Sequence, residues 1–250
     1  MSVDETGALK EVIQDFEYLD ENSSVHGLAL SPDSHILYSA DTYGNNVWTH
    51  AVEKRTGLVG KVLDKAIGPS PGSNPRHVSL HPSGKALYAV TEGSNEVVWY
   101  KVDSDTGIPH QQEPIYSLLP AGANSSMYWG DAVAVTPSGR YLWATTRARD
   151  HDDQGYISAF ELTKNGHVKK QLLLVPTTSS GGVANAVTPS DFDDRFVAIT
   201  DNSIGFVEIW ALEDGKHKCP SAKPVARIDL ADQGNARYKS GCCANVVWLS

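Results

Sequence analysis

The chain repeats one pattern of apolar and polar positions four times. In each copy, a short strand of alternating apolar residues is followed by a turn built on proline, and a second apolar strand follows the turn. Alternation with a period of two predicts a β-strand, and proline fixes the backbone angle that such a turn needs. The turn prolines lie 50 to 55 residues apart, at Pro32, Pro82, Pro137 and Pro189.

A fixed period of about 50 residues, with four short strands in each repeat, predicts a β-propeller. We therefore expect an all-β protein built from four-stranded blades, with about five blades in a single domain over residues 1–250. Trp48, Trp99 and Phe160 are expected to pack between blades. The predicted repeats are approximately 24–74, 75–129, 130–182 and 183–241, with a partial blade at each end.

The two ends of the chain are interpreted as parts of blades. Residues 8–19 (ALKEVIQDFEYL) are interpreted as an outer strand, and residues 242–250 (CCANVVWLS) as half of a further repeat. A closed propeller usually completes one blade with both ends of its chain, because closure removes exposed sheet edges. The sequence therefore indicates either a small propeller or one without about two N-terminal blades, and we favour the second interpretation.

Composition limits the partners that the protein can have. A net charge of -9 argues against nucleic acid or an anionic membrane, and an anionic ligand would need a local cationic pocket. Three cysteines make no disulfide framework, and the start of the chain resembles no signal peptide. These features predict a cytoplasmic protein. Oligomeric state stays open, with a homo-oligomer formed through edge strands as one option.

Several motifs go beyond what any propeller would share: VHG at 25–27, PRHV at 75–78, TEGSN at 91–95, TTRA at 145–148 and QGYI at 154–157. On these motifs the chain, from Ser24 onward, resembles the fungal 3-carboxy-cis,cis-muconate lactonizing enzymes. These are seven-bladed propellers related in fold to bacterial 6-phosphogluconolactonase-like proteins. The resemblance implies a cycloisomerase of aromatic catabolism (the β-ketoadipate pathway) that uses no metal or cofactor. Its substrate would be a small tricarboxylate, and its active-site residues would be His26, Arg76, Glu92 and Arg147.

The repeat register supports that set of residues independently. His26 and Arg76 each lie six residues before a turn proline, at the start of a first strand. Glu92 and Arg147 each lie ten residues after one, at the end of a second strand. Antiparallel pairing places these two positions side by side, so we expect all four side chains at one mouth of the channel. Asp131 occupies the same position as His26 in the third repeat, and its charge would oppose an anionic ligand there.

The residue types suit lactone formation. Arginine holds a carboxylate with two parallel hydrogen bonds and stays charged, so Arg76 and Arg147 are the predicted substrate-binding residues. Cyclisation also places a proton on carbon. His26 is the first candidate donor, because an ordinary pKa of about 6.5 makes both of its forms accessible near neutrality. Glu92 is the second candidate, or it orients His26 or an arginine.

Other functions stay open at this point. A 6-phosphogluconolactonase-like hydrolase could use the same mouth, although no second general base stands out. A non-catalytic, truncated propeller scaffold predicts that the four residues do not converge. His77 and His81 have the spacing of metal ligands on a strand, but His81 occupies the turn position of the repeat. We therefore expect no metal site.

Overall fold

The fold is described from a computed structural model, over residues 1–18, 20–213, 219–230 and 243–249. In these ranges, sixteen strands form four antiparallel sheets of four strands each, and a 3-10 helix spans Ser125–Met127. No helix in them is long and apolar enough to cross a membrane. The predicted fold class, an all-β propeller of four-stranded blades, is confirmed.

Each sheet is one blade, and its strands follow one another in chain order. The strands are β1 (Val25–Leu30), β2 (Ile36–Asp41), β3 (Asn46–Val52) and β4 (Val59–Ile67) in blade 1; β5 (Pro75–Leu80), β6 (Ala86–Thr91), β7 (Glu96–Val102) and β8 (Pro109–Ser117) in blade 2; β9 (Tyr128–Val135), β10 (Tyr141–Ala148), β11 (Tyr156–Leu162) and β12 (Val168–Pro176) in blade 3; and β13 (Val187–Pro189), β14 (Phe196–Asp201), β15 (Phe206–Glu213) and β16 (Ser221–Asp229) in blade 4.

The proline turns of blades 2 and 3 close their first hairpins in the same way. In blades 2 and 3, the backbone N–H of the turn glycine donates to the residue three positions earlier, Gly84 to His81 and Gly139 to Thr136, both at 2.8 Å. These glycines have φ angles of 71° and 75°, a left-handed conformation that glycine adopts without a steric penalty. The Pro-Ser-Gly sequence therefore fixes the register of the strands that carry the candidate residues.

The first strand of every blade lies at the centre of the propeller. Strands β1 and β5 contact each other, as do β5 and β9, and β9 and β13. Apolar clusters fill the spaces between neighbouring blades. Tyr38 packs with Tyr100 between blades 1 and 2, and Trp99 lies with Phe160 between blades 2 and 3. Burial of each such side chain contributes roughly 1.5–3 kcal/mol. This packing fixes the spacing of the inner strands.

The N-terminal segment covers one face of blade 1 without joining its sheet. The prediction of an outer strand at 8–19 is wrong for the described residues, which form only an isolated bridge between Val3 and Leu9. Tyr18 packs against Trp48, with ring centroids 5.9 Å apart. The prediction that Trp48 packs between blades is therefore also wrong, because an aromatic side chain from this segment covers it. The Gln14 side chain bonds both backbone groups of Val59, at 2.7 and 2.8 Å.

The C-terminal residues 243–249 likewise form no strand. Trp248 Nε1 donates to the backbone carbonyl of Thr188 at 3.0 Å, so side-chain contacts hold this end against β13. The predicted half repeat is therefore not a sheet in the described part, and Cys242 and Ser250 lie outside that part. Cys243 is disulfide-bonded, against the expectation for the cysteines, and Cys219 is free and exposed.

Candidate active site

The site forms where the starts of first strands lie beside the ends of second strands. In blade 2, Pro75 pairs with Thr91. The residues next to them in sequence, Arg76 and Glu92, therefore lie at the same end of the sheet. In blade 3, Arg147 pairs with Trp129 at the same end. Because the inner strands of the two blades lie side by side, both pairs of positions meet at one mouth of the channel.

Glu92 joins the two arginines at this mouth. Its Oε2 atom lies 2.9 Å from Arg76 Nε and 3.4 Å from Arg147 Nη2. Arg76 and Arg147 are only 5% and 6% exposed. The structure therefore brings together three of the four predicted site residues, two of them buried cations.

Asp131 is a further member of this cluster that the sequence argument did not assign to the site. Its carboxylate is completely buried and forms ion pairs with both arginines: Oδ1 with Arg76 Nη1, and Oδ2 with Arg147 Nε at 2.8 Å. The Asp131 carbonyl also accepts a hydrogen bond from Arg76 Nη1 at 2.8 Å. Its charge is thus paired with cations instead of free at the mouth. The two arginines and two carboxylates together carry no net charge.

The repeat register contained the signal for Asp131. It lies six residues before Pro137, at the position of Arg76 and His26 in the preceding blades. The sequence indicates only a negative charge at this position, because it does not show that two arginines contact the residue. Gly130 permits this arrangement, since a Cβ there would lie 2.2 Å from the carbonyl oxygen of Thr91. The inner strand of blade 3 can therefore approach β6 closely.

His26 lies beside the cluster and contacts it through His77. The two imidazole rings meet edge to face, with centroids 4.7 Å apart. Gly27 makes this contact possible, because a Cβ there would lie 2.5 Å from His77 Cδ2. His77 Nδ1 lies 2.9 Å from the carbonyl oxygen of Asp131. A carbonyl only accepts hydrogen bonds, so this nitrogen of His77 carries the proton.

The surroundings of both histidines favour the neutral imidazole, although His26 is exposed and His77 is only partly buried. Burial, followed by the charges of Arg76 and Arg147, lowers the pKa of His26 to about 4. Burial, followed by Arg76 and His26, lowers the pKa of His77 to about 3. This shift opposes the protonated form of His26 near pH 7, on which its role as proton donor would depend. Burial and Arg147 lower the pKa of Arg76 to about 10, so it remains a cation.

Trp129 extends the site toward solvent. The guanidinium carbons of Arg147 and Arg149 lie 4.8 and 4.2 Å from its ring centroid, both within the range of a cation–π interaction. Arg149 is exposed and forms no ion pair with any described residue. The mouth thus combines an electroneutral buried cluster with one unpaired cation at its rim.

The two histidines considered as metal ligands point to different partners. His77 contacts the charge cluster, whereas His81 bonds the carbonyl of Gly139 at 3.0 Å and Ser83 Oγ at 2.7 Å. Within the ranges that the structure describes, no group of three or more His, Cys, Asp or Glu side chains is arranged to hold a metal ion. His81 therefore stabilises a turn, as its repeat position predicts.

The fold and this charged mouth define a β-propeller with a polar site on its axis. Residues 1–170 match the model of the family described as "Lactonase, 7-bladed beta-propeller". The chain belongs to this family, in agreement with the resemblance drawn from its motifs.

Two curated relatives and one solved structure extend the comparison. The chain is 39% identical to the carboxy-cis,cis-muconate cyclase of Neurospora crassa over 243 residues, which cover 93% of this chain and 63% of that protein. It is 29% identical to muconate cycloisomerase 1 of Cutaneotrichosporon cutaneum, over 76% of this chain and 52% of the relative. The periplasmic gluconolactonase PpgL of Pseudomonas aeruginosa has the same fold, with a TM-score of 0.72 and 20% identity over 91% of this chain and 62% of its own. The chain thus spans less than two thirds of each.

Proposed function

We propose that the chain is a cycloisomerase that converts 3-carboxy-cis,cis-muconate to carboxymuconolactone. The observation that carries the proposal is the pair of buried arginines, Arg76 and Arg147, held side by side at one mouth of the channel. The 39% identity to a carboxy-cis,cis-muconate cyclase supports the same reaction. The pathway in which this reaction would act, the β-ketoadipate pathway, is part of the proposal.

Arginine pairs provide both affinity and orientation for such a substrate. A guanidinium group matches the two oxygens of a carboxylate, so two guanidinium groups hold two carboxylates of the substrate in fixed positions relative to the alkene. Arg149 adds the positive charge that the neutral cluster lacks, and it suits the third carboxylate of the substrate. Binding in one geometry converts the addition into an intramolecular step between preset atoms.

The reaction forms one bond to oxygen and one to hydrogen. A carboxylate oxygen of the substrate adds to an alkene carbon, and the electron pair of that double bond takes a proton at the neighbouring carbon. The trianion therefore becomes a dianionic lactone and consumes one proton. Negative charge develops on the carboxylate next to the second carbon, where an arginine stabilises it.

His26 and Glu92 remain the two candidates for the proton donor. Burial makes the largest contribution to the lowered pKa of His26, and the charges of Arg76 and Arg147 add to it. Bound carboxylates would offset the second contribution only, which favours the protonated imidazole as substrate enters. Glu92 lies between the arginines, on the open side of the site. A lower kcat together with loss of the alkaline limb of its pH profile in His26→Asn, but not in Glu92→Gln, would assign the step to His26.

The test is the loss of ultraviolet absorbance of 3-carboxy-cis,cis-muconate with purified protein, in the presence of EDTA and with product identified as lactone. We expect turnover by the wild-type chain and at least a 1,000-fold loss in Arg147→Lys, which keeps the charge but loses the planar fork. Arg55→Lys is the matched control, because Arg55 is exposed in the turn between β3 and β4. No turnover by folded wild-type protein would overturn the proposal.

A second candidate is hydrolysis of a sugar lactone, which the description of the family favours. The same purified protein is assayed with 6-phosphogluconolactone and with cis,cis-muconate in separate reactions. Acid release from the sugar lactone, with no cyclisation of either muconate, would replace the proposed isomerase by a hydrolase. Inactivity on all three substrates would leave the scaffold interpretation.

A further inference from the structure

Two carboxylates, one buried and one partly exposed, contact the same pair of arginines. Asp131 lies on the buried side, whereas 24% of the Glu92 side chain is exposed on the open side. Arg76 and Arg147 pair with both. A carboxylate ligand that is to contact both arginines at the atoms now held by Asp131 or Glu92 must therefore displace that protein carboxylate.

Asp131 is fixed by several partners. Besides both arginines, its Oδ2 atom accepts the backbone N–H of Asn185 at 3.0 Å. The Asn185 side chain is in turn held by Thr145 Oγ1 at 3.0 Å. Removal of a fully buried carboxylate from such a network leaves uncompensated charges, so this side of the cluster stays in place.

Glu92 is held far less firmly. Its ion pairs with Arg76 and Arg147 are both formed through Oε2, and no hydrogen bond holds its Oε1 atom among the residues that the structure describes. The arginines are buried, so they need another anion in its place when Glu92 leaves. The partly exposed Glu92 carboxylate can swing into solvent as a ligand carboxylate enters, while Asp131 keeps its partners.

We propose that Glu92 occupies, in the ligand-free protein, the position that a carboxylate of the ligand takes, and that Asp131 is the positioning residue that holds both guanidinium groups during this exchange. The inference rests on the proposed function only for the class of ligand, a small polycarboxylate.

A matched pair of variants separates this idea from simple electrostatics. Glu92→Gln and Asp131→Asn each remove one negative charge from the same cluster with little change of shape. Electrostatics alone predicts that both bind an anion more tightly by a similar factor. The proposed exchange predicts opposite effects, because the first variant loses a competitor and the second loses the group that positions the arginines.

The probe is tricarballylate, a saturated tricarboxylate that cannot cyclise, and its Kd is measured by isothermal titration calorimetry at pH 7.5. We expect binding at least 10-fold tighter than wild type in Glu92→Gln and at least 10-fold weaker in Asp131→Asn. Glu53→Gln is the control for net charge, since Glu53 is exposed in the turn between β3 and β4. This control should stay within 2-fold of wild type.

A second measurement needs no variant of Asp131. Arg76 Nε pairs with Glu92, whereas Arg147 Nε pairs with Asp131. In wild-type protein labelled with 15N-arginine, tricarballylate should therefore shift the Nε–H signal of Arg76 and leave that of Arg147 nearly unchanged. Arg76→Lys and Arg147→Lys assign the two signals.

Equal tightening in both carboxylate variants, or equal shifts of the two arginine signals, would overturn the inference. Failure of tricarballylate to bind wild type and Glu92→Gln would also overturn it. Tricarballylate binding with these signatures, but without turnover of carboxymuconate, would retain the exchange at this site and remove the proposed reaction.

Discussion

The two ends of the propeller differ: one has an open cavity, and the other has buried charged side chains. At the end with the proline turns, a cavity of about 530 Å³ lies between blades 1 and 2, lined by turn residues that include Asp33, His35 and Asp105. At the other end, the charged mouth holds Arg76, Arg147 and Asp131 almost without exposed surface. Buried charges are costly unless they are paired, so their concentration at one end indicates function better than open space does.

We expect the largest difference between the two ends when Arg76, in the charged mouth, is replaced. Its replacement by Met leaves the buried Asp131 carboxylate with one cation fewer, so we expect the unfolding free energy to fall by about 3–5 kcal/mol. Cyclisation should fall at least 1,000-fold. Urea unfolding followed by Trp fluorescence measures the first effect. Lys85→Met, an exposed position at the cavity end, is the control and should change stability by no more than about 0.5 kcal/mol.

Acid should weaken the mouth more than the rest of the molecule. The folded pKa of His77, about 3, lies below its ordinary value of 6.5. The unfolded chain therefore takes up a proton as pH falls through 6.5, while the folded protein stays neutral, and the unfolding free energy decreases with falling pH in that window. Since the ring is partly exposed, we expect a loss on the order of 2 kcal/mol between pH 6.5 and 4, below the limit of about 1.4 kcal/mol per unit.

His77→Asn isolates this contribution, because the Asn amide can still donate to the Asp131 carbonyl but does not titrate. Urea unfolding at several pH values should give a shallower decline in the variant than in wild type. Identical slopes would show that His77 does not differ in proton binding between the folded and unfolded states.

A smaller effect is expected at Tyr38, on the wall of the large cavity. Its hydroxyl donates to the carbonyl of Gly107 at 2.8 Å, and its side chain is buried. Tyr38→Phe should lower the unfolding free energy by about 1 kcal/mol, the net contribution of one hydrogen bond. The kcat/KM for carboxymuconate should not change, and a loss greater than 3-fold would connect the two ends functionally.

The smallest effect is predicted for the polar residues of the cavity itself. His35→Ala and Asp105→Asn replace exposed turn residues that contact no member of the charged mouth. Steady-state kinetics with carboxymuconate should stay within 2-fold of wild type. A larger change in either variant would mean that the cavity end takes part in the reaction.

The features that the sequence predicted correctly, the strands and the positions of three site residues, depend on local pattern. Alternation and the proline turns gave the strands, and the six- and ten-residue offsets from each proline placed Arg76, Glu92 and Arg147 at one mouth. These offsets work because antiparallel register is a local property of each hairpin. The roles assigned to the four site residues, and the single domain over residues 1–250, stay predictions.

What the sequence missed depends on contacts between blades. The partners of Asp131 come from blades 2, 3 and 4, and no spacing within one repeat shows that a carboxylate lies between two arginines. The lowered pKa of His26 has the same origin, because burial and two cations from other blades cause it. The ends of the chain were misassigned because side chains such as Gln14 and Trp248 hold them, whereas backbone ladders were expected.

The charged mouth also fastens the blades to one another. Arg76 and Asp131 join blade 2 to blade 3, and the backbone of Asn185 joins the same carboxylate to the start of blade 4. The groups proposed to bind the ligand are therefore the same atoms that connect the blades. A protein engineer who wishes to change the ligand would have to replace the pairs of Asp131 with the arginines as units, or work on the open side and the rim, at Glu92 and Arg149.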